Sequence, residues 1–299
     1  MKPFIKWVGG KSQIMKHIVH KIPRNIKDYH EPFVGGGSVL LKVLSLQKNG
    51  EIEISGKVYA YDLNNSLINM YKNIQKTPLD VLYHLDELFS TYDSCKGSDV
   101  NRKPPKEESQ KSKENFYYWS RNEFNTMDKK IKLSSRGSAL FIFLNKTCFR
   151  GMFREGPNGF NVPYGHYKKT PSYLDKESIL KLSKYVKNVV FKCRDFSDSL
   201  VNTSSGDFVY LDPPYVPIKT TSFVGYTDKG FTRENHEELF RLIHQLRDKK
   251  IHMMMSNSNS IVVKKAFADF SYQEIGCRRT INSKNPGMRT TELLIEYAP

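Results

Sequence analysis

In the first part of the chain, apolar residues alternate between helical and strand spacing. Ile14, Met15, Ile18, Val19 and Ile22 share one side of a helix, which predicts a helix over residues 12–22 capped by Ser12. Residues 29–34 then run as a strand into Gly35-Gly36-Gly37, and residues 38–46 continue as an apolar helix. A short strand over residues 57–61 ends at Asp62. The order strand, glycine turn, helix, strand, acid is that of the βαβ unit in a nucleotide-binding sheet.

The rhythm is lost in the middle. Residues 95–115 are rich in Lys, Ser and Pro with hardly an apolar side chain, which predicts a solvated, mobile loop. Residues 116–144 read as helix. Residues 148–173 mix Gly, Asn, Pro, Arg and aromatics, a composition that predicts an ordered functional loop. Alternation resumes near Val189. Residues 207–211 predict a buried strand, 234–249 an amphipathic helix, and 251–255 another apolar strand before the polar stretch 256–260. Two last strand-like runs, 272–277 and 292–297, flank a basic loop with Arg278, Arg279, Lys284 and Arg289 and should close as a hairpin with a long connection. There are no internal repeats.

At 299 residues the chain suits one large domain, or one domain carrying a sizeable insertion. With 38% hydrophobic and 12% aromatic residues it can build a core, which excludes wholesale disorder. A formal net charge of +16 and a sequence pI of about 9.5 point to a polyanionic partner. Nucleic acid is the first expectation and an anionic membrane surface the rival. The most apolar stretch, residues 139–144, is far too short to span a bilayer. Residues 1–11 do not read as a signal peptide, because Lys6 and Gly9-Gly10-Lys11 break the apolar stretch, so the expected location is cytoplasmic. Cys95, Cys148, Cys193 and Cys277 are scattered without metal-ligand or redox spacing and should be reduced, mostly buried thiols.

The strongest chemical signal is Asp212-Pro213-Pro214-Tyr215, at the end of an apolar strand. Ligands of an open α/β sheet sit outside the carboxyl ends of its strands. Consecutive prolines lack backbone donors, so they hold a rigid turn and leave carbonyls free. Asp212 and the Pro213 carbonyl can accept both hydrogens of an exocyclic amine, and Tyr215 can stack on a planar ring. The plainer reading is a proline turn between strand and loop. Glu31-Pro32-Phe33-Val34-Gly35-Gly36-Gly37 adds glycines at a strand-to-helix turn, where a nucleotide can approach the backbone closely. Many such turns bind nothing. Asp62, about 25 residues on, stands where an acid bonds ribose hydroxyls in dinucleotide folds, or is simply a surface aspartate. Trp7, one of two tryptophans, lies beside Gly9-Gly10-Lys11, which lacks the glycine spacing of a P-loop.

Taken in order, FIKWVGGK (4–11), EPFVGGGSV (31–39), YDLN (61–64), LNKTCFRGMFREGPNGFNVPYG (144–165), DPPY (212–215), Ser256-Asn257, RRTINS (278–283) and ELLIEY (292–297) resemble the Dam-like (D12 class) DNA adenine-N6 methyltransferases over nearly the whole chain. The acid-first tetrapeptide is similar to adenine enzymes rather than N4-cytosine enzymes, and the motif order resembles the alpha group. No cysteine sits in a Pro-Cys context, which argues against methylation of cytosine carbon 5. The resemblance implies an α/β fold: a Rossmann-like, S-adenosyl-L-methionine-dependent methyltransferase sheet from residues 1–65 and 173–299, with an inserted, mainly helical target-recognition domain over 66–172. It implies that Trp7 and Lys11 meet the methionine end of the cofactor, that Phe33, Gly35 and Gly37 line it, and that Asp62 holds its ribose. Phe196 would pack on its adenine, with Asp195 beside it, and Asp212 would touch both cofactor and target base. In the insertion Phe149 and Met152 would push into the duplex, Arg154 would read a guanine, and Asn145, Lys146 and Arg150 would face DNA.

The implied activity is transfer of a methyl group to N6 of adenine in double-stranded DNA, without a metal. The target base must leave the stack, because N6 cannot meet the cofactor inside the duplex. The implied site is a short palindrome, GATC first and CATG or another tetranucleotide next, because residues 150 and 155–158 depart from the Dam-like pattern. A restriction endonuclease acting on the same site is an allowed partner, and the oligomeric state is left open. Two readings compete. A nicotinamide-dependent oxidoreductase would share the glycine turn and Asp62 but gives no reason for Asp-Pro-Pro-Tyr or the charge. A catalytically dead DNA-binding protein would have no reason to keep Asp212.

Overall fold

The computed structural model describes residues 3–217, 230–278 and 289–299. Of the expected basic loop, Arg279 and Lys284 lie outside the described residues, as do the side chains of Arg278 and Arg289.

Seven strands form one sheet: β1 (Tyr29–Glu31), β2 (Val58–Asp62), β3 (Val189–Cys193), β4 (Phe208–Leu211), β5 (His252–Ser258), β6 (Ser271–Arg278) and β7 (Arg289–Tyr297), in the order β3-β2-β1-β4-β5-β7-β6. Tyr29 of β1 lies parallel beside Val58 of β2 and Phe208 of β4, and Leu211 of β4 lies parallel beside Met255 of β5. Parallel strands are covered on both faces, which is why Phe208-Val209-Tyr210-Leu211 is buried throughout. β7 runs antiparallel between β5 and β6, with Glu292 beside Ser258 on one side and Ile275 on the other. The expected closing hairpin is therefore present as β6 and β7.

The chain forms two compact units. One gathers Lys11–Val34, Ser45–Leu63 and Lys192–Pro299. Its core joins Val209, Leu211, Met253, Met255 and Ile295 of the sheet to Leu239, Ile243 and Leu246 of the helix Arg233–Asp248. Those helical positions recur at i, i+4 and i+7, the stripe that one helix face buries. Thr232 caps this helix in a capping box with Asn235. The helix expected over 12–22 is shorter, Met15–Lys21, and Ile14 rather than Ser12 precedes it, without a side-chain cap.

The other unit gathers Met1–Gly10, Gly35–Leu44 and Asn64–Phe191 and is mainly helical. The helix Ser135–Thr147 is buried nearly all round and packs against helices Asn65–Lys76, Pro78–Ser94 and Lys113–Thr126. A helix apolar on every side belongs at the centre of a core. Phe89, Tyr92 and Phe116 all meet Phe143 edge-on, the geometry aromatic quadrupoles prefer. The single helix expected over 116–144 is instead three, Lys113–Thr126, Lys129–Lys132 and Ser135–Thr147, because Asp128 caps a new start by accepting from the Lys130 N–H.

The bounds of this unit are wider than the expected insertion at 66–172. Residues 1–10 join it because Trp7 stacks on Phe153 at 5.4 Å. The helix Lys176–Tyr185 joins it by packing on helices Asn65–Lys76 and Pro78–Ser94. Within residues 95–115, expected as a solvated, mobile loop, polar side chains bond one another. Asn115 is buried and ties the segment down: its carbonyl accepts from Asn101 N–H at 2.7 Å and its amide donates to Glu108 O at 3.3 Å. Ser112 caps the following helix, so polar side chains here do internal rather than solvent bonding. Cys95, Cys148 and Cys277 are buried thiols, whereas Cys193 is exposed. Among the described residues, no helix is long and apolar enough to cross a membrane.

Candidate active site

Three parallel neighbours, β1, β2 and β4, bring acids to their carboxyl ends: Glu31, Asp62 and Asp212. Ligand sites of open α/β sheets form on this side. Glu31 is buried and accepts from the Tyr29 hydroxyl at 2.6 Å; burial, with this acid alongside, pushes the Tyr29 hydroxyl well above its usual pKa. Asp62 is half-buried, and its backbone carbonyl accepts from the Arg194 N–H at 3.2 Å. Phe33, just past β1, and Phe196 lie in a stacked pair with centroids 5.7 Å apart, and Phe231 packs on both. Asp195 caps the short helix Phe196–Leu200, its Oδ1 accepting from both the N–H and the hydroxyl of Ser197.

The Asp-Pro-Pro-Tyr turn leaves β4 as a rigid exit. Pro213 is buried and Pro214 exposed. The chain is then caught by β5: Val216 N–H donates to Asn257 Oδ1 at 3.1 Å, and Ser258 Oγ donates to Val216 O at 2.6 Å. Asp212 pairs with Lys11 Nζ at 2.6 Å, and their side chains are only 20% and 3% exposed. The same Nζ stands 5.2 Å from the centroid of the Tyr215 ring. The Tyr215 hydroxyl donates to Glu292 Oε2 at 2.9 Å. Burial pushes the Asp212 carboxyl up to about 6; Lys11 opposes that rise and Glu292 adds to it. Lys11, expected at the methionine end of a cofactor, is thus the ion partner of the acid that begins the tetrapeptide. Glu31, Asn257, Ser258 and Glu292 were not singled out as site residues. An acid inside an apolar strand, as in Glu292-Leu293-Leu294-Ile295, is the signal that could have marked Glu292.

Trp7, Gly35 and Gly37 belong to the helical unit. The glycines answer to side chains as well as to any ligand. Gly35 and Gly37 have φ of +46° and +72°; a Cβ would come within 2.7 Å of Trp7 Cδ1 at the first and of Tyr71 Oη at the second. Tyr71 donates to Gly35 O at 3.0 Å.

The residues expected to face DNA divide. Phe149 is 40% exposed, Met152 is half-buried, and Arg150 and Arg154 are exposed. Arg150 takes a left-handed φ of 57°, uncommon for a side-chain-bearing residue, and its guanidinium lies 5.1 Å from the Phe149 ring centroid. Arg154 precedes a tight hairpin, Glu155–Gly156 paired with Gly159–Phe160, and its Nε donates to Asn161 Oδ1 at 2.7 Å. Lys146 is half-buried; burial and the neighbouring Lys6 charge lower its pKa. Asn145 bonds within the fold. It is buried, its Oδ1 accepts from Lys6 N–H at 3.0 Å, and its Nδ2 donates to Lys6 O at 2.7 Å and Gly151 O at 3.1 Å. Through these bonds the Asn145 amide ties residues 145 and 151 to residue 6.

One cluster among the described residues has the ligand types of a metal site: Asp28, His30 and Asp207. It lies at the amino ends of β1 and β4, away from Asp62 and Asp212. The Asp207 carboxylate accepts from the N–H groups of Asp28 and Ser204, and Asp28 accepts from the Lys57 N–H, so these acids tie the strand beginnings together.

Residues 7–281 match the family model described as D12 class N6 adenine-specific DNA methyltransferase. The chain is 37% identical over 294 residues to the Type II methyltransferase M.MjaIII of Methanocaldococcus jannaschii, a match covering 95% of this chain and 94% of that one. It is 31% identical to the Type II methyltransferase M1.LlaDCHI of Lactococcus lactis subsp. cremoris, over 99% of this chain and 95% of the relative. It is 29% identical to the DNA adenine methylase of Escherichia coli, over 100% and 96%.

Replacing Asn145 by Ala would leave the Lys6 and Gly151 backbone groups without partners. It should cost about 1–3 kcal/mol in denaturant unfolding. An unchanged midpoint would show that water replaces those bonds without penalty.

Proposed function

Since the chain belongs to the D12 class of N6 adenine-specific DNA methyltransferases, we propose that it takes the methyl group from S-adenosyl-L-methionine and that Asp212 and the Pro213 carbonyl receive the amino group of a flipped-out adenine. The observation that carries this reading is the Asp212–Lys11 pair set against the Tyr215 ring. An exocyclic amine conjugated to a purine is a poor nucleophile. A carboxylate and a carbonyl accepting its two hydrogens localise the lone pair, and stacking on Tyr215 holds the ring in line. Lys11 favours the ionised form of Asp212 against the pull of burial, so that the acid is an acceptor at neutral pH.

The residues present suit the cofactor. The stacked Phe33–Phe196 pair offers a flat apolar wall to an adenine ring, and the Asp62 carboxyl at the end of β2 is of the type that bonds a ribose diol. When bound, S-adenosyl-L-methionine supplies an electrophilic methyl on a sulfonium centre. Asp195 already serves as a helix cap, so its contribution is to fix Phe196. Trp7, Gly35 and Gly37 shape the turn that follows β1. No metal takes part in this reading. The competing oxidoreductase reading gives no use for the Asp212–Lys11–Tyr215 arrangement.

For DNA, the proposal assigns Phe149 and Met152 to wedging beside the displaced base, Arg154 to reading guanine, and Arg150 and Lys146 to the surrounding backbone. An exposed Phe149 and a half-buried Met152 in a polar loop suit insertion between bases. The proposed site is a four-base palindrome, GATC first and CATG next. M.MjaIII and M1.LlaDCHI carry Type II names, and a cognate restriction endonuclease acting on the same site is the partner proposed here.

Activity should fall as pH drops through about 6, because a protonated Asp212 no longer accepts both amino hydrogens. Asp212→Asn, which cannot ionise, should lose on the order of 100-fold or more in turnover. Methyl transfer from tritiated S-adenosyl-L-methionine to mixed-sequence DNA across pH reads both effects; a normal rate for Asp212→Asn would remove Asp212 from the chemistry. Arg154→Ala should cost about 1–3 kcal/mol at one base pair and relax specificity there, read over a set of single-substitution sites. Uniform loss over every site would make Arg154 a backbone contact.

A further inference from the structure

We propose that Glu292 is a positioning residue for methyl transfer: its carboxylate anchors the Tyr215 hydroxyl and so fixes the ring on which the target base stacks. This rests on the reading of Asp212 and Tyr215 above. Tyr215 ends the proline turn, where its ring would otherwise be free to swing. Its hydroxyl instead donates to Glu292 Oε2 at 2.9 Å, and Lys11 stands 5.2 Å from its centroid. The anchor is mounted rigidly. β7 is paired on both sides, Glu292 lies between Ser258 and Ile275, and the next three residues, Leu293, Leu294 and Ile295, are buried.

A structural role alone gives no reason for an acid here. A neutral acceptor could also bond the hydroxyl, though more weakly, whereas a second carboxylate near half-buried Asp212 opposes its ionisation. The groups around this pair are Lys11 on Asp212 itself, Tyr210 with its hydroxyl bonded to Ser256 Oγ, Tyr215, and the buried thiol of Cys277, which feels the charges of both Glu292 and Lys11. What the charge adds is a stronger hydrogen bond to the tyrosine, since a carboxylate acceptor binds about twice as strongly as a neutral one. It also raises the pH at which Asp212 becomes an acceptor.

The test compares Glu292→Ala, Glu292→Gln, Tyr215→Phe and the double variant Tyr215→Phe with Glu292→Ala, all in the full chain, by tritiated methyl transfer to DNA. Glu292→Ala and Tyr215→Phe should each lower kcat about tenfold, as expected for a misplaced reactant. The double variant should be no worse than the poorer single one, because both remove the same contact. Glu292→Gln keeps an acceptor, so kcat near neutral pH should stay within about threefold of the parent, while the acid limb of kcat/KM moves to lower pH. Multiplied losses in the double variant, or an unmoved acid limb in Glu292→Gln, would overturn the proposal. Asp212→Ala separates the two levels: full activity there sinks the site itself, whereas an inactive Asp212→Ala beside a fully active Glu292→Ala sinks the role of Glu292 alone.

Discussion

An ammonium and a carboxylate held 2.6 Å apart, with the lysine almost wholly out of water, constrain everything around them. Neither charge is tolerable alone at that depth, so Lys11 and Asp212 require each other. In the proposed reaction the pair also sets the chemistry. Burial raises the Asp212 carboxyl to about 6 and Lys11 opposes that rise, so that at neutral pH the acid would be an ionised acceptor. The Tyr215 ring is placed by the same group, with Lys11 over its face and Glu292 at its hydroxyl.

The sheet makes this arrangement possible. Parallel neighbours β1, β2 and β4 deliver Glu31, Asp62 and Asp212 to one edge, and the antiparallel β7 brings Glu292 back toward the same residues from the far end of the chain. β5 contributes through buried polar residues rather than apolar ones: Asn257 and Ser258 hold the backbone of Val216 as the chain leaves the proline turn. A buried amide in a strand is costly unless satisfied, and one of the bonds that Asn257 makes also fixes the exit of the tetrapeptide.

What the amino-acid sequence makes legible is local. Asp212-Pro213-Pro214-Tyr215 after an apolar strand, glycines after β1 and an acid after β2 are patterns a few residues long, and the α/β fold follows from them. The partners of those residues are distant in sequence and leave no spacing to read, so Lys11 and Glu292 as neighbours of the tetrapeptide emerge only from the folded chain. The glycine turn was legible as a turn, but its close contacts with Trp7 and Tyr71 were not. Composition says least where polar residues bond one another. Residues 95–115 look solvated, yet Asn115 and Ser112 make bonds within that segment, and the Asn145 amide bonds Lys6 and Gly151.

The nucleoside that carries the transferred methyl group tests the role of Asp212 most directly. Mixed-sequence duplex DNA incubated with the chain and S-adenosyl-L-methionine, then digested to nucleosides and resolved by mass spectrometry, should contain N6-methyldeoxyadenosine. The same digest from Asp212→Ala should lack it. A methyl group on cytosine N4 in the parent digest, or undiminished N6-methyldeoxyadenosine from Asp212→Ala, would contradict the proposal that Asp212 receives the adenine amino group.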